Sequence, residues 1–439
     1  MSVPRIAVLG ASGLIGQAVA GGLMNDGYPV LAIARRFTAA QRHQFGPHAR
    51  EAPVADLDRK ALASLLDECD VIVNCIGVLQ DGATDSTQKV HEIYVERLLS
   101  AMRELSRPAL LIHLSVPGHD AEDKTAFSAS KRRAERLIVE SGVSFAILRP
   151  GFVFAPAAYG GSALLRALAT LPFDLPRSLA ERPFQSVIVD DITATIAALA
   201  MRWRAESVPL AVTWDLLSGK PETLGMVLSQ LRMWLGIGQS ARIVLPVVLL
   251  KFGALVGDAV SWLGWRPPIR STALAELQRG VAGEPRAWLA ATGLAPLSLS
   301  QALQQRPPGI QEKWFARLYM LKAAIIAGLV IFWCASAIIA LGPAYAEAVA
   351  ILTSRGYAAP QAHAMTIAGS MMDFAVGFAI AFRRTSRWGL WAGIAVSLFY
   401  MVAAAILTPD LWVEPLGALV KTFPAIILMM VGLAISDER

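Results

Sequence analysis

From Ala323 to Ala346 the chain runs for 24 residues without a charged side chain. About 20 apolar residues in a helix cross the hydrocarbon layer of a bilayer, so this run predicts a transmembrane helix. Similar runs at Met365–Phe382, Trp388–Leu407 and about Pro415–Ile435 bring the expected spans to four, an all-α bundle occupying residues 319–439. The 439-residue chain is nevertheless 17% charged and 55% hydrophobic, too polar for a protein that is membrane throughout. A soluble part must therefore accompany the spans.

Orientation follows from the basic residues. Arg383, Arg384 and Arg387 lie between the second and third runs, whereas the connection after the third holds only Asp410 and Glu414. The positive-inside rule then puts the arginine loop and both ends of the chain in the cytoplasm, as in a multi-pass inner (cytoplasmic) membrane protein. The net charge of +6 comes from basic residues scattered beside apolar stretches, which reads as attraction to the anionic lipid bilayer and points away from nucleic acid. Cys69, Cys75 and Cys334 form no CxxC or ligand spacing, so neither disulfides nor a metal site are expected.

The soluble part opens with RIAVLGASGLIG. Short β-branched runs at Ile6–Leu9, Pro29–Ala34, Val71–Cys75, Leu110–Leu114 and Phe145–Leu148 alternate with helical stretches starting near Leu14, Lys60, Gln88 and Ser130. That rhythm predicts an α/β fold, a Rossmann-type doubly wound parallel sheet over residues 1–225. Beyond about residue 150 the pattern turns irregular and proline-rich, and residues 226–318 are expected to supply a small substrate lobe and an amphipathic linker. Within it, Ile243–Trp265 is nearly long enough to cross a bilayer. Lys251 and Asp258 share one helix face, however, and Arg266, Arg270, Arg279, Arg286 and Arg306 follow, so a helix lying in the membrane surface or covering the substrate cleft is expected instead.

Gly10, Gly13 and Gly16 fall between the first strand and the first helix, where the backbone can turn tightly and aim helix N-terminal amides at a pyrophosphate. Ser12, Leu14 and Ile15 share this turn. The second strand ends in AIARR, without the acidic residue that would hold a ribose 2′-hydroxyl. Arg35 and Arg36 could pair with a 2′-phosphate, which favours NADP(H) over NAD(H), or could simply solvate the strand end.

Further along come ADLD, VNCIGVL, HLSV, LRPGFVFAP and VIVDDITATIAAL, in that order. Together with GASGLIG they resemble the extended and atypical branches of the short-chain dehydrogenase/reductase superfamily, including NAD-dependent epimerase/dehydratase-like proteins, over about residues 5–225. The resemblance implies an adenine-contacting turn at Asp56 and Leu57 and a segment beneath the adenosine at Cys75, Ile76 and Gly77. It also implies a catalytic serine at Ser115 and a nicotinamide-flanking segment at Pro150, Gly151, Phe152 and Val153. The chain is similar above all to the group containing the nucleotide-binding accessory subunit of respiratory complex I and related quinone-biosynthesis proteins.

In that superfamily a tyrosine and a lysine four residues apart share a helix face, and the phenol shuttles a proton to the substrate. Here FSASK keeps Lys131, which the resemblance also implies at the cofactor, but places Phe127 at the tyrosine position, and His91 stands where an asparagine is usual. A phenyl ring donates no proton, and losing a general acid costs about 10²- to 10⁴-fold in rate. Ser115, His119 and Tyr159 are candidate substitutes. A quinone or an activated double bond would need little acid assistance.

The spans resemble the DoxX-like family of small four-helix membrane domains. Asp373, near the middle of the second run, costs at least about 2.5 to 3.5 kcal/mol to insert as a charge and so needs a partner or a wet pocket. Counted at about 1.5 Å per residue, Asp373 lies roughly 12 Å and Lys421 roughly 9 Å from the outer ends of their helices. An Asp373–Lys421 pair is expected, the alternative being a hydrated Asp373 and a snorkelling Lys421. These readings converge on a membrane-anchored NADP(H)-binding oxidoreductase acting on a lipid-soluble substrate such as a quinone or isoprenoid. The alternative is a redox-inactive nucleotide-binding scaffold or sensor whose partner is a membrane protein complex of respiration or quinone biosynthesis.

Overall fold

The computed structural model describes residues 3–82, 86–118, 121, 123–206, 208–238, 242–413, 417 and 419–436. The chain divides into two compact units, Met1–Asp258 with Pro267–Ala316, and Ala259–Arg266 with Arg317–Arg439.

In the first unit the strands are β1 (Ile6–Leu9), β2 (Val30–Ala34), β3 (Ala49–Glu51), β4 (Val71–Asn74), β5 (Leu110–Leu114), β6 (Phe145–Pro150), β7 (Phe152–Phe154), β8 (Phe173–Asp174), β9 (Ser186–Ile188), β10 (Ala211–Leu216) and β11 (Ile243–Val244). Seven of them form one parallel sheet in the order β10-β6-β5-β4-β1-β2-β3. Ile6 and Val8 of β1 enter the core on one face of this sheet, and Ala7 and Leu9 enter the core on the other. Burial on both faces is what makes the strands read as unbroken apolar runs. The order reverses between β1 and β4, the switch point at which open sheets of this kind bind ligands beyond the carboxyl ends of the strands.

A smaller lobe gathers β7 with β9, β8 with β11, and the helices Gly161–Thr170, Leu224–Trp234 and Leu299–Gln305 around a third apolar core. Arg166 is buried there between the rings of Phe154 and Trp234, 5.2 and 5.3 Å from their centroids, and donates to the Ala155 and Pro156 carbonyls. Burial lowers this guanidinium to about 10, and the aromatic faces and the Glu312 charge favour its charged form.

Among the described residues the second unit holds three apolar helices long enough to cross a bilayer: Ile310–Leu341, which starts in the first unit, Ala359–Ala381 and Ser386–Leu407. The first expected span is displaced. Its helix starts at Ile310, after the helix-stopping RPPG segment, and ends before Gly342 and Pro343, and Tyr345–Thr353 forms a short helix of its own. The expected fourth span is corrected. Thr422–Ala434 has 13 residues, about 20 Å at 1.5 Å each, which falls short of the hydrocarbon layer. Glu414 and Pro415 lie outside the described residues. Leu329, Trp333, Val376, Ile380, Leu390, Ile394 and Met429 form the core of this unit, while residues such as Ile331, Phe378, Phe399 and Ile406 face outward. An apolar exterior around an apolar core is the arrangement lipid requires.

Candidate functional site

β1 delivers the chain to Gly10, whose φ of +82° suits glycine alone at low cost. The Gly10 and Ala11 amides donate to the Ile33 carbonyl of β2, Gly13 N–H closes the turn on Gly10 O at 2.9 Å, and the helix Leu14–Asn25 follows with Gly13 as its N-cap. At Gly16 a Cβ would stand 2.3 Å from the Gly10 oxygen, so any side chain would push the turn open. The turn thus leaves helix N-terminal amides bare above the carboxyl end of β1, and these residues fit the pyrophosphate of a dinucleotide. Arg35 and Arg36 follow β2 and are exposed. Glu51 ends β3 opposite Ala34 and accepts from Phe37 N–H at 2.9 Å and Arg42 Nη1 at 3.0 Å. The Phe37 hydrogen bond, helped by the Arg42 and Arg36 charges, keeps its carboxyl below the usual range.

In the ADLD turn, Arg97 ties down the Ala55 and Leu57 carbonyls, and Asp56 pairs with Lys89 at 2.7 Å. The hydrogen bond from Lys89 is the main reason the Asp56 carboxyl sits below its ordinary value. Both side chains are half exposed, so water competes for this pair and a ligand can displace it.

β4 ends at Asn74, and Cys75, Ile76 and Gly77 continue past it over the sheet edge. A Cβ on Gly77 would lie 3.4 Å from both His91 Nε2 and Lys131 Nζ, which places these three residues together. His91 sits on the π-helical turn Lys89–Ile93. Its Nε2 accepts from Val78 N–H at 3.1 Å, so Nδ1 carries the proton and donates to Ser130 Oγ at 2.8 Å, and Ser130 in turn donates to Phe127 O at 2.9 Å. Burial, with the Lys131 charge adding to it, brings the imidazole down to about 2, so it is neutral. This chain of donors runs to a backbone carbonyl.

Thr125 caps the helix Ala126–Val139, accepting from Ser128 N–H. The four-residue spacing puts Phe127 and Lys131 on one side of it. The Phe127 ring meets His91 edge to face at 5.7 Å. Lys131 is 5% exposed, and its ammonium donates to Leu114 O at 2.8 Å and Ile76 O at 3.4 Å, at the ends of β5 and β4. Two of three donors are thereby engaged, and one is left for a ligand. Burial lowers Lys131 to about 8, against smaller upward pulls from Cys75 and Glu135. The same burial pushes the Cys75 thiol up to about 12, so it is no nucleophile at neutral pH.

Ser115 follows β5 and is buried, and its hydroxyl has no hydrogen-bond partner among the described residues. Burial raises the Glu135 carboxyl nearby, yet hydrogen bonds from Arg149 and Arg132 and the charges of both arginines outweigh it and hold it below the usual range. Pro150 ends β6. Gly151 crosses so close to Gln185 O, 2.5 Å from a built Cβ, that no side chain fits, and Phe152 and Val153 begin β7. Tyr159 is exposed on the turn before Gly161–Thr170. His119 lies outside the described residues.

In the membrane unit the expected Asp373–Lys421 pair is not formed. Asp373 is buried and accepts from Ser336 Oγ at 2.7 Å and Tyr400 Oη at 2.9 Å, two neutral donors on neighbouring helices. Lys421 is exposed at the N-cap of Thr422–Ala434. Similar depth placed the two residues level, but depth does not determine which way a side chain turns around its helix. Serine and tyrosine at Ser336 and Tyr400 offer no charge signal, so their role could not be read from the sequence.

An open parallel sheet with a glycine turn at its switch point and a buried lysine, Lys131, below it is the arrangement of a pyridine-nucleotide-binding domain, here carried on a chain with span-length apolar helices. Residues 10–167 match the NAD(P)H-binding family and residues 330–430 the DoxX-like family. The chain thus joins an NAD(P)-binding domain to a C-terminal DoxX-like domain with span-length apolar helices. It is similar to dTDP-6-deoxy-L-talose 4-dehydrogenase (NAD(P)(+)) of Kitasatospora kifunensis, 31% identical over 115 residues that make up 25% of this chain and 34% of that relative. The chain therefore spans about a third of that relative's length. UDP-glucuronic acid 4-epimerase from Bacillus cereus, solved with UDP-glucuronic acid and NAD, superposes with a TM-score of 0.51 at 14% identity over 72% of this chain and 99% of that one. The human epimerase family protein SDR39U1 (isoform 2), solved with NADPH, gives 0.51 at 18% identity over 69% of this chain and 98% of that one. At such identities the likeness is one of fold.

Proposed function

We propose that this protein is a membrane-anchored oxidoreductase that prefers NADP(H) and acts on a lipid-soluble substrate such as a quinone or isoprenoid. The observation that carries the reading is Lys131. It is buried beside Gly77 and His91 with one N–H to spare, in a chain whose described residues also hold three span-length helices. Bound nicotinamide would supply the hydride. Gly10, Ser12, Gly13, Leu14, Ile15 and Gly16 would hold the pyrophosphate, Asp56 and Leu57 the adenine, and Cys75, Ile76 and Gly77 the adenosine. Pro150, Gly151, Phe152 and Val153 would flank the nicotinamide, and the exposed Arg35 and Arg36 support a 2′-phosphate. Lys131 would hold the ribose and, with its ammonium near 8, give up the proton that Phe127 cannot. Residues 1–225 form the nucleotide domain in this reading, 226–318 the substrate lobe and linker, and 319–439 the membrane domain. The nucleotide domain and the arginine loop face the cytoplasm at the inner membrane.

Phe127 favours a second reading, a redox-inactive scaffold or sensor for a respiratory or quinone-biosynthesis assembly. The two separate in one experiment on the full-length protein in lipid nanodiscs, with NADPH and NADH binding and oxidation followed against a quinone analogue. Oxidation of NADPH, accelerated about 10²-fold in Phe127→Tyr, is the expected result. Saturable binding with no oxidation by either protein would establish the scaffold.

A further inference from the structure

The helix Val247–Ser261 has one face packed and the other bare. On the packed face Ala254 is 2% exposed, and Gly257 lies so close to Ile269 that a Cβ would stand 2.0 Å from its carbonyl oxygen. Asp258 turns inward as well, where its Oδ1 accepts from Gln80 Nε2 at 2.9 Å and Arg270 Nε at 3.2 Å. On the other face Val248, Phe252, Leu255 and, just beyond the helix, Trp262 are 74%, 64%, 64% and 79% exposed. Their spacing of four, three and seven residues makes a single stripe, broadened by Leu249 and Val256 and preceded by the exposed Ile243 and Val244 of β11. Nothing in the helix's own sequence balances that stripe except Lys251, which is exposed at its margin.

A contiguous apolar surface of this kind marks a docking face. What covers it follows from where it ends. Leu263 O accepts from Arg383 N–H at 3.0 Å, and Trp265 Nε1 donates to Ala381 O at 2.6 Å. Ala381 is the last residue of the spanning helix Ala359–Ala381, and Arg383 opens the arginine-rich loop. The end of the stripe is therefore tied to the point where a spanning helix leaves the hydrocarbon, among the tryptophan and arginine side chains that mark a bilayer interface.

We propose that Val247–Ser261 is an interfacial helix whose Val248, Phe252, Leu255 and Trp262 side chains enter the boundary between headgroups and acyl chains on the arginine-loop side. Lys251 reaches the lipid phosphates from the margin of the stripe. The inference uses only the bare face and its tie to the spans. It therefore stands whichever reaction the nucleotide domain performs.

The test uses the full-length protein in vesicles of phosphatidylethanolamine and phosphatidylglycerol, with a photoreactive benzophenone amino acid in place of Phe252, Leu255 or Val208. Val208 is 60% exposed in the first unit and serves as the water-facing control. Phospholipid adducts at 252 and 255 and none at 208 are expected. Crosslinks between two copies of the chain at 252 and 255 would overturn the proposal in favour of a dimer face, and so would the absence of lipid adducts at both positions. A gentler variant guards against misfolding. In vesicles of acyl-brominated lipid, Trp262→Phe should remove part of the bromine-quenched tryptophan emission, and an unchanged quenched fraction would count against the helix lying in lipid.

Discussion

Gly16 is the residue whose replacement has the most predictable effect. Its missing side chain lets the first helix start directly against the Gly10 carbonyl, with 2.3 Å available where a Cβ would stand. Gly16→Ala should therefore force the turn apart, costing about 1 to 3 kcal/mol of stability and most of the affinity for NADPH, as read by thermal melting and by titration of nucleotide fluorescence. Lys131 gives a pH signature. Its folded value of about 8 lies below the ordinary lysine range because burial disfavours the ammonium. The unfolded chain binds the extra proton between the two values, so this group's burial penalty is fully present below about pH 8 and is relieved as the pH rises towards 10.5. In the proposed reaction the dependence runs the other way. A Lys131 that must be charged loses activity as the pH rises through about 8, and in Lys131→Met the remaining activity should show no such inflection in a rate–pH profile. Sequence spacing sufficed to place Gly16 in the turn after β1 and Lys131 on one helix side with Phe127, because both positions are set within one turn and one helix. Glu51, which shares the neighbourhood of Arg36, went unnoticed because it reaches that place on a three-residue strand with no apolar signal.

Among the elements, the helix Ala126–Val139 is held most specifically. Behind Lys131, Arg132 pairs with Asp123 at 2.6 Å and Glu135 at 3.0 Å, and Arg279 reaches the same Asp123 at 3.3 Å. All four side chains are almost wholly buried, so each charge depends on the others for its solvation. Arg132→Leu should then strand two carboxylates and cost about 3 to 5 kcal/mol, seen as a lowered denaturant midpoint for the nucleotide unit. A far smaller loss would mean that Arg279 and Arg149 absorb both charges. This network was beyond reach of the sequence, since Asp123 and Arg279 are distant along the chain and only the fold decides their meeting. The strands were easier: Ile6–Leu9 and Leu110–Leu114 are apolar runs bounded by turns and emerge with those limits. β3 and β10 were not foreseen, the one too short and charged, the other interrupted by Thr213 and Asp215 in AVTWDL. Asp373 shows the same division, its burial readable from its neighbours in sequence and its partners Ser336 and Tyr400 not.

For the molecule as a whole, the outward apolar side chains of the second unit mean that it should stay with the membrane through an alkaline wash and leave it only with detergent. Orientation is open to a direct check. A cysteine placed at Arg384 should react with a membrane-impermeant maleimide only after cells are opened, whereas labelling in intact cells would reverse the assigned topology. The order of the units along the chain bears on how the protein is made. All of the first unit lies ahead of Arg317 along the chain, interrupted only by the Ala259–Arg266 segment of the second unit, so folding of the first unit and membrane targeting overlap in time. Among the described residues the apolar helix Val247–Ser261 precedes every span-length helix along the chain, and a targeting factor or chaperone that shields it would act on this protein earlier than those helices alone would allow.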